Sequence, residues 1–280
     1  TLKIGSLSGT ATDATLGGAS STYQVGYLNT ETRFAGLVKC ARLTKVGTGK
    51  LTLSNVGHTA PITVNEGTLE LSNATATVCT SGTITVTAAG TLQGNALASA
   101  VTVANGGTLT AGLNGNVGTL RLNGALRLNS GGRLLCKLSN TGNDKFTVKG
   151  SITHNGDTLI IRVPEGRLLN MGEELTIFNA GFESATGTPI VVCDAEGIGY
   201  EFDLSTLNTD GKIRVSNITV GIGSLRIADS TPVDVFTTDG VKLRSQVPSA
   251  EALRSLPAGI YVITGRRSDG QIVSHKVTKR

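Results

Sequence analysis

Three stretches of the chain repeat one phrase: ITVNEGTLEL at Ile62–Leu71, ITVTAAGTLQ at Ile84–Gln93 and VTVANGGTLT at Val101–Thr110. Each copy has an alternating β-branched triplet, a turn containing Gly67, Gly90 or Gly107, and then Thr68-Leu69, Thr91-Leu92 or Thr108-Leu109. The copies start 22 and 17 residues apart. A unit this short cannot bury its apolar face alone and gains stability by stacking on copies of itself.

Weaker echoes flank the three copies, at 47–55 (GTGKLTLSN), 118–124 (GTLRLNG), 124–130 (GALRLNS) and 131–138 (GGRLLCKL). Period-2 alternation puts Leu69 with Leu71, Leu120 with Leu122, and Leu134 with Cys136 on one face each. Wound into coils of roughly 20 residues, such units stack parallel strands at about 4.8 Å per coil and turn Leu, Val and Ile into a continuous internal ladder. Asn65, Asn105, Asn123 and Asn129 fit the corners of these coils. The expected fold is all-β, a right-handed parallel β-helix; a sandwich or barrel of hairpins is the alternative that period alone does not exclude.

Composition agrees with short strands and tight turns. The 280 residues are 39% hydrophobic and 16% charged, with 37 Gly, 6 Pro and no Trp, which allows a sizeable core and argues against disorder. Net charge is +5, but Lys and Arg are scattered with few aromatics beside them, so nucleic acid is not an expected partner. No run of 18 apolar residues is present, so no membrane-spanning helix is expected. No signal peptide is visible and the chain opens on Thr1, which reads as a processed protein or a C-terminal piece of a longer one.

After residue 140 charged residues become frequent and the repeated phrase stops, so 1–140 reads as the repeat region and 141–224 as terminal coils and cap. Residues 225–280 read as a compact all-β tail, a small sandwich with Asp239-Gly240 and Asp269-Gly270 as hairpin turns.

Two family resemblances follow. FAGLVKCARLTKVGTGKLTLSN at 34–55, followed by ITVNEGTLELSN, resembles the passenger-associated, autotransporter-type β-strand repeat, and NDKFTVKGSITHNGDTLIIRV at 143–163 resembles that family's terminal coils. The resemblance covers about 1–190 and implies an extended right-handed β-helix on a bacterial surface. VDVFTTDGVKL, LPAGIYVI and the terminal KVTKR resemble the C-terminal sorting domain of the type IX secretion system of Bacteroidetes, with Gly240, Gly259 and Tyr261 on matching positions. Val235-Phe236 departs from it where the family usually has a Tyr. This second resemblance implies an Ig-like sandwich over 225–280 that engages the secretion machinery, and hence a secreted or outer-membrane-surface location.

Candidate chemistry is sparse. Between residues 14 and 143 there is no Asp, and Glu31, Glu66 and Glu70 are the only Glu. A polysaccharide lyase or hydrolase on a β-helix needs converging carboxylates. Glu66 and Glu70 read as a solvated face, Glu173 and Glu174 point to opposite sides of a strand, and Asp194 with Glu196 reads equally well as a polar strand end. His58, His154 and His275 have no metal-ligand spacing. GTGK at 47–50 lacks the first Gly and the final Ser or Thr of a phosphate loop and reads as a hairpin-like turn.

Cys40, Cys79, Cys136 and Cys193 read as buried small hydrophobes, with disulfides left open for an exported protein. Arg121, Arg127 and Arg133 suggest a basic strip on successive strands, either contacting an acidic glycan or lipopolysaccharide or discouraging edge aggregation. Asp157-Thr158-Leu159 and Asp229-Ser230-Thr231 resemble the O-glycosylation triplet of exported Bacteroidetes proteins. No catalytic, cofactor-binding or metal-ligating residue is assigned. The expected function is a non-enzymatic exported cell-surface module, a β-helical stalk or adhesin-like spacer with a sorting domain; the alternatives are a glycan-binding module or a polysaccharide lyase or hydrolase.

Overall fold

The computed structural model describes residues 1–73, 82–195, 198–220, 232–266 and 272–279; Cys79, Glu196, Asp229-Ser230-Thr231 and Asp269-Gly270 lie outside them. The chain divides into two compact units, Thr1–Glu196 with Tyr200–Ile218, and Gly197–Gly199 with Thr219–Arg280.

The first unit is a parallel β-solenoid. Its first ladder stacks Leu2–Ile4, Thr22–Val25, Arg42–Lys45, 62–64, 84–86, Val101–Val103, Leu126–Leu128, Ile152–His154 and Ala185–Thr186, nine strands in all. A second ladder stacks Thr32–Phe34, Lys50–Leu53, 68–71, 91–94, Thr108–Thr110, Arg133–Lys137, Thr158–Arg162 and Ile190–Asp194. The third side is made of Thr15–Leu16 on Leu37–Val38 and of Leu97–Ala98, Thr119–Leu122 and Lys145–Val148. All these pairings are parallel, which rules out the hairpin-built sandwich or barrel for this unit.

The register explains the repeated phrase. Ile84 pairs with Ile62 and Val101, Thr91 with Thr68 and Thr108, and Leu92 with Leu69 and Leu109. The copies are successive coils in register. Ile62, Ile84, Val101, Leu126 and Ile152 form one inward column, and Leu51, Leu69, Leu92, Leu109, Leu134 and Leu159 another, each residue 1% exposed or less. Burying each such side chain contributes about 1.5–3 kcal/mol relative to leaving it in water.

From the first column to the second the chain always advances seven or eight residues, as from Ile62 to Leu69 and from Val101 to Leu109. The return along the third side varies, from nine residues between Leu92 and Val101 to 18 between Leu134 and Ile152. The phrase is therefore constant while the repeat length is not. At the corner between the two ladders, a Cβ on Gly90 would lie 2.2 Å from the Val64 carbonyl oxygen, and one on Gly107 2.5 Å from that of Val86. The glycine before Thr-Leu lets the next coil close onto the one before it.

Parallel stacking continues through Lys145–Val148, Ile152–His154, Thr158–Arg162 and Ile190–Asp194, and ends beside an antiparallel pairing of Glu174–Thr176 with residues 212–214. Leu175, Phe178, Leu207 and Ile213 are buried there.

The second unit holds one antiparallel sheet among the described residues, in the order Lys242–Pro248, Pro232–Thr237, Gly259–Arg266, Ile272–Lys279. Val233, Val235, Ala252 and Tyr261 form its core, with Val247, Leu253, Leu256, Ile263 and Val277 packed against them. The 249–256 segment packs on this sheet, and the second sheet of the expected sandwich is not found among the described residues. The Asp239-Gly240 hairpin is present, with the Thr237 amide donating to Val241 O at 2.8 Å and Gly240 at φ +90°.

Candidate functional site

The candidate carboxylates fall into separate structural bonds. Glu66 is exposed, and its Oε2 accepts from the Gly47 amide at 3.1 Å, across the corner between two coils. Glu70 is 5% exposed, not solvated. It lies in register between Thr52 and Gln93, accepts from Thr52 Oγ1 at 3.1 Å and Gln93 Nε2 at 2.6 Å, and faces Lys50 Nζ at 3.6 Å. Alternation marks Glu70 as outward; the neighbours that close over it come from other coils.

Glu173 and Glu174 do point apart. Glu173 accepts from Arg167 and the Asn170 amide, and Glu174 from Lys212 and Arg214, whose cations hold its carboxyl below the usual range. Asp194 pairs with Arg162 at 3.0 Å on the surface.

The 47–50 turn is a coil corner. Arg42–Lys45 and Lys50–Leu53 pair with neighbouring coils, and not with each other as a hairpin would require. Two of its amides are already engaged, Gly47 with Glu66 Oε2 and Thr48 with Asn29 Oδ1 at 2.9 Å.

The three arginines do not form a strip. Arg121 is on the third side, Arg127 on the first ladder and Arg133 on the second. Six residues carry the chain only about a third of the way round a coil, so this spacing distributes side chains round the solenoid. Of the three, Arg127 borders a shallow depression of about 170 Å³ lined by Thr83, Ala100, Val101, Thr102 and Ala125.

His58 and His154 are interior groups. His58 is fully buried, with Nδ1 accepting from the Val38 amide at 2.9 Å, and burial pushes its imidazole down to about 4. His154 is 5% exposed, with Nδ1 3.0 Å from Oδ2 of the fully buried Asp157. Asp157 is thus enclosed in the solenoid with Leu159, while Thr158 between them is half-buried. Cys40 and Cys136 are buried free thiols and Cys193 is a half-buried one.

Two buried networks carry no signal in the sequence reading. Lys45 occupies an inward position between Val25 and Val64 and is 1% exposed; its Nζ donates to the carbonyls of Val46, Gly47 and Glu66 at 2.8, 2.7 and 3.1 Å. Desolvation pushes its ammonium down. Asp144, fully buried at the turn before Lys145, accepts from Lys137 Nζ at 2.6 Å, the Lys137 amide, the Gly118 amide and Thr110 Oγ1. Burial pushes its carboxyl up in spite of the ammonium. A lysine in a valine column is visible only once register is known.

In the second unit Tyr261 Oη donates to Pro257 O at 2.7 Å. Asp234 accepts from Lys242 Nζ, Ser245 Oγ and the Gln246 amide, at the irregularity where Pro232–Thr237 pairs with Lys242–Pro248.

Among the described residues no three His, Cys, Asp or Glu side chains are grouped so as to hold a metal ion, and no helix is long and apolar enough to cross a membrane. No protein family matches the chain, and no curated protein sequence matches it.

Proposed function

We propose that the chain is a non-enzymatic, exported cell-surface module, a β-helical stalk or adhesin-like spacer whose C-terminal segment is read by the type IX secretion machinery of Bacteroidetes. The observation that carries this reading is the unbroken first ladder of nine parallel strands, roughly 38 Å of rise, filled by apolar columns. Such a body presents a surface at a distance, and its polar interior groups bond to its own backbone or to one another. The acidic residues singled out on it are held by Lys, Arg, amides or neighbouring polar side chains. The sorting role of the tail rests on its resemblance in sequence, with Gly240 at the positive-φ turn and Tyr261 in the sheet core.

Fusion of residues 219–280 to a reporter in a Bacteroidetes host with an intact type IX system tests the reading. The reporter is expected at the cell surface in that host and in the periplasm of a type IX mutant. Periplasmic retention in both, or correct export of the chain after deletion of 225–280, overturns it.

A further inference from the structure

The geometry points to an acidic-polysaccharide site on the outer side of the first ladder, with Arg127 taking a uronate carboxylate. This extends the adhesin-like half of the proposed function. Export tests the tail alone, so either reading can fail without the other.

No strand of the first ladder contains Asp or Glu, and its outward row is hydroxyl-rich. In register, Thr44, Thr63, Thr85 and Thr102 precede Arg127, and Thr153 and Thr186 follow it. Arg127 is the single charged side chain in that run. It is exposed, and among the described residues its guanidinium meets neither a carboxylate nor a carbonyl. Arg133, by contrast, donates to Gly106 O, and Arg162 is paired with Asp194.

Beside Arg127 the surface sinks by about 170 Å³, lined also by Thr83, Ala100, Val101, Thr102 and Ala125. Two coils contribute alanine at the corner where neighbouring coils carry Thr83 and Ser151, and this leaves the hollow.

The chemistry selects the ligand. A guanidinium fork takes a carboxylate through two parallel N–H···O bonds. Threonine hydroxyls both donate and accept, which suits the hydroxyls of a sugar ring. A row of hydroxyls with one cation cannot neutralise a run of phosphates, and it has no aromatic on which a base would stack.

The test is titration of the purified full chain with polygalacturonate, with its methyl ester, with polyglutamate and with single-stranded DNA. Binding to polygalacturonate alone is expected. Arg127→Gln should weaken it about 10- to 100-fold, the loss of a charge-assisted pair. Thr102→Val, which keeps the charge and the shape, should weaken it by a smaller factor, and both variants should keep the parent circular dichroism. Absence of polygalacturonate binding, equal binding of the methyl ester, polyglutamate or DNA, or a parent-like Arg127→Gln overturns the assignment.

Discussion

His154 Nδ1 and Asp157 Oδ2 lie 3.0 Å apart inside the solenoid, both side chains shut off from water, at a position where the preceding coil places Leu128. The column that runs Val64, Val86, Val103, Leu128 thus ends on a polar group, and Asp157 is what makes that tolerable. Phe178 packs on the imidazole with ring centres 5.9 Å apart.

Removing one member of this pair leaves the other buried and unpaired. Asp157→Ala should destabilise the first unit by about 3 kcal/mol or more. Replacing both, as His154→Leu with Asp157→Val, continues the apolar column and should recover most of that loss. Urea midpoints of the single and double variants check this, and a double variant no better than the single would show that the pair is not an isolated polar insertion.

His58 predicts an acid limb. Above pH 6.5 the imidazole is neutral in folded and unfolded chains alike. Between 6.5 and about 4 the unfolded chain binds a proton that the buried ring refuses, so stability falls as pH drops through that window, by up to about 3 kcal/mol. His58→Gln keeps an acceptor for the Val38 amide and removes the titration. The difference in unfolding free energy between parent and variant should therefore shrink steadily from pH 7 to pH 4, and a constant difference would remove His58 as its source.

The glycine corner predicts a positional contrast. Gly90→Ala would set a methyl 2.2 Å from the Val64 carbonyl oxygen, whereas a Cβ at Gly142 meets nothing within 4 Å. The first substitution should cost about 1–3 kcal/mol through overpacking between coils, and Gly142→Ala should stay within about 0.5 kcal/mol of the parent. Thermal unfolding of the two variants side by side is sufficient. Equal effects would mean that the corner yields to the methyl.

How far the sequence was legible follows from what alternation can carry. Ile62, Ile84 and Val101 align by eye because inward strand positions must be apolar, and the register repeats that alignment. Glu70 and Lys45 were not legible, since whether a polar residue is covered depends on groups 18 to 23 positions away, such as the Thr52 and Gln93 side chains and the Glu66 carbonyl. Arg121, Arg127 and Arg133 misled for a related reason. Local spacing says nothing of coil circumference, and the circumference decides which residues become neighbours. The dent beside Arg127 is likewise a property of stacked coils, made by Ala100 and Ala125 at adjoining corners.

The cysteines give the last prediction. Cys136 is fully buried, and its thiol donates to the Asp144 carbonyl at 3.3 Å. Burial, with the neighbouring Asp144 carboxylate adding to it, pushes that thiol up to about 12. Cys193, half-buried, is pushed up to about 11 by burial and by Asp194. The thiolate is the nucleophile, so both should resist alkylation at neutral pH, Cys136 more completely because reagent cannot reach it. Iodoacetamide labelling of the native chain, read site by site by mass spectrometry, should leave Cys136 unmodified until urea unfolds the solenoid. Labelling of Cys136 in the native protein would mean that the strand Arg133–Lys137 opens without global unfolding, which the parallel pairing on both of its edges argues against.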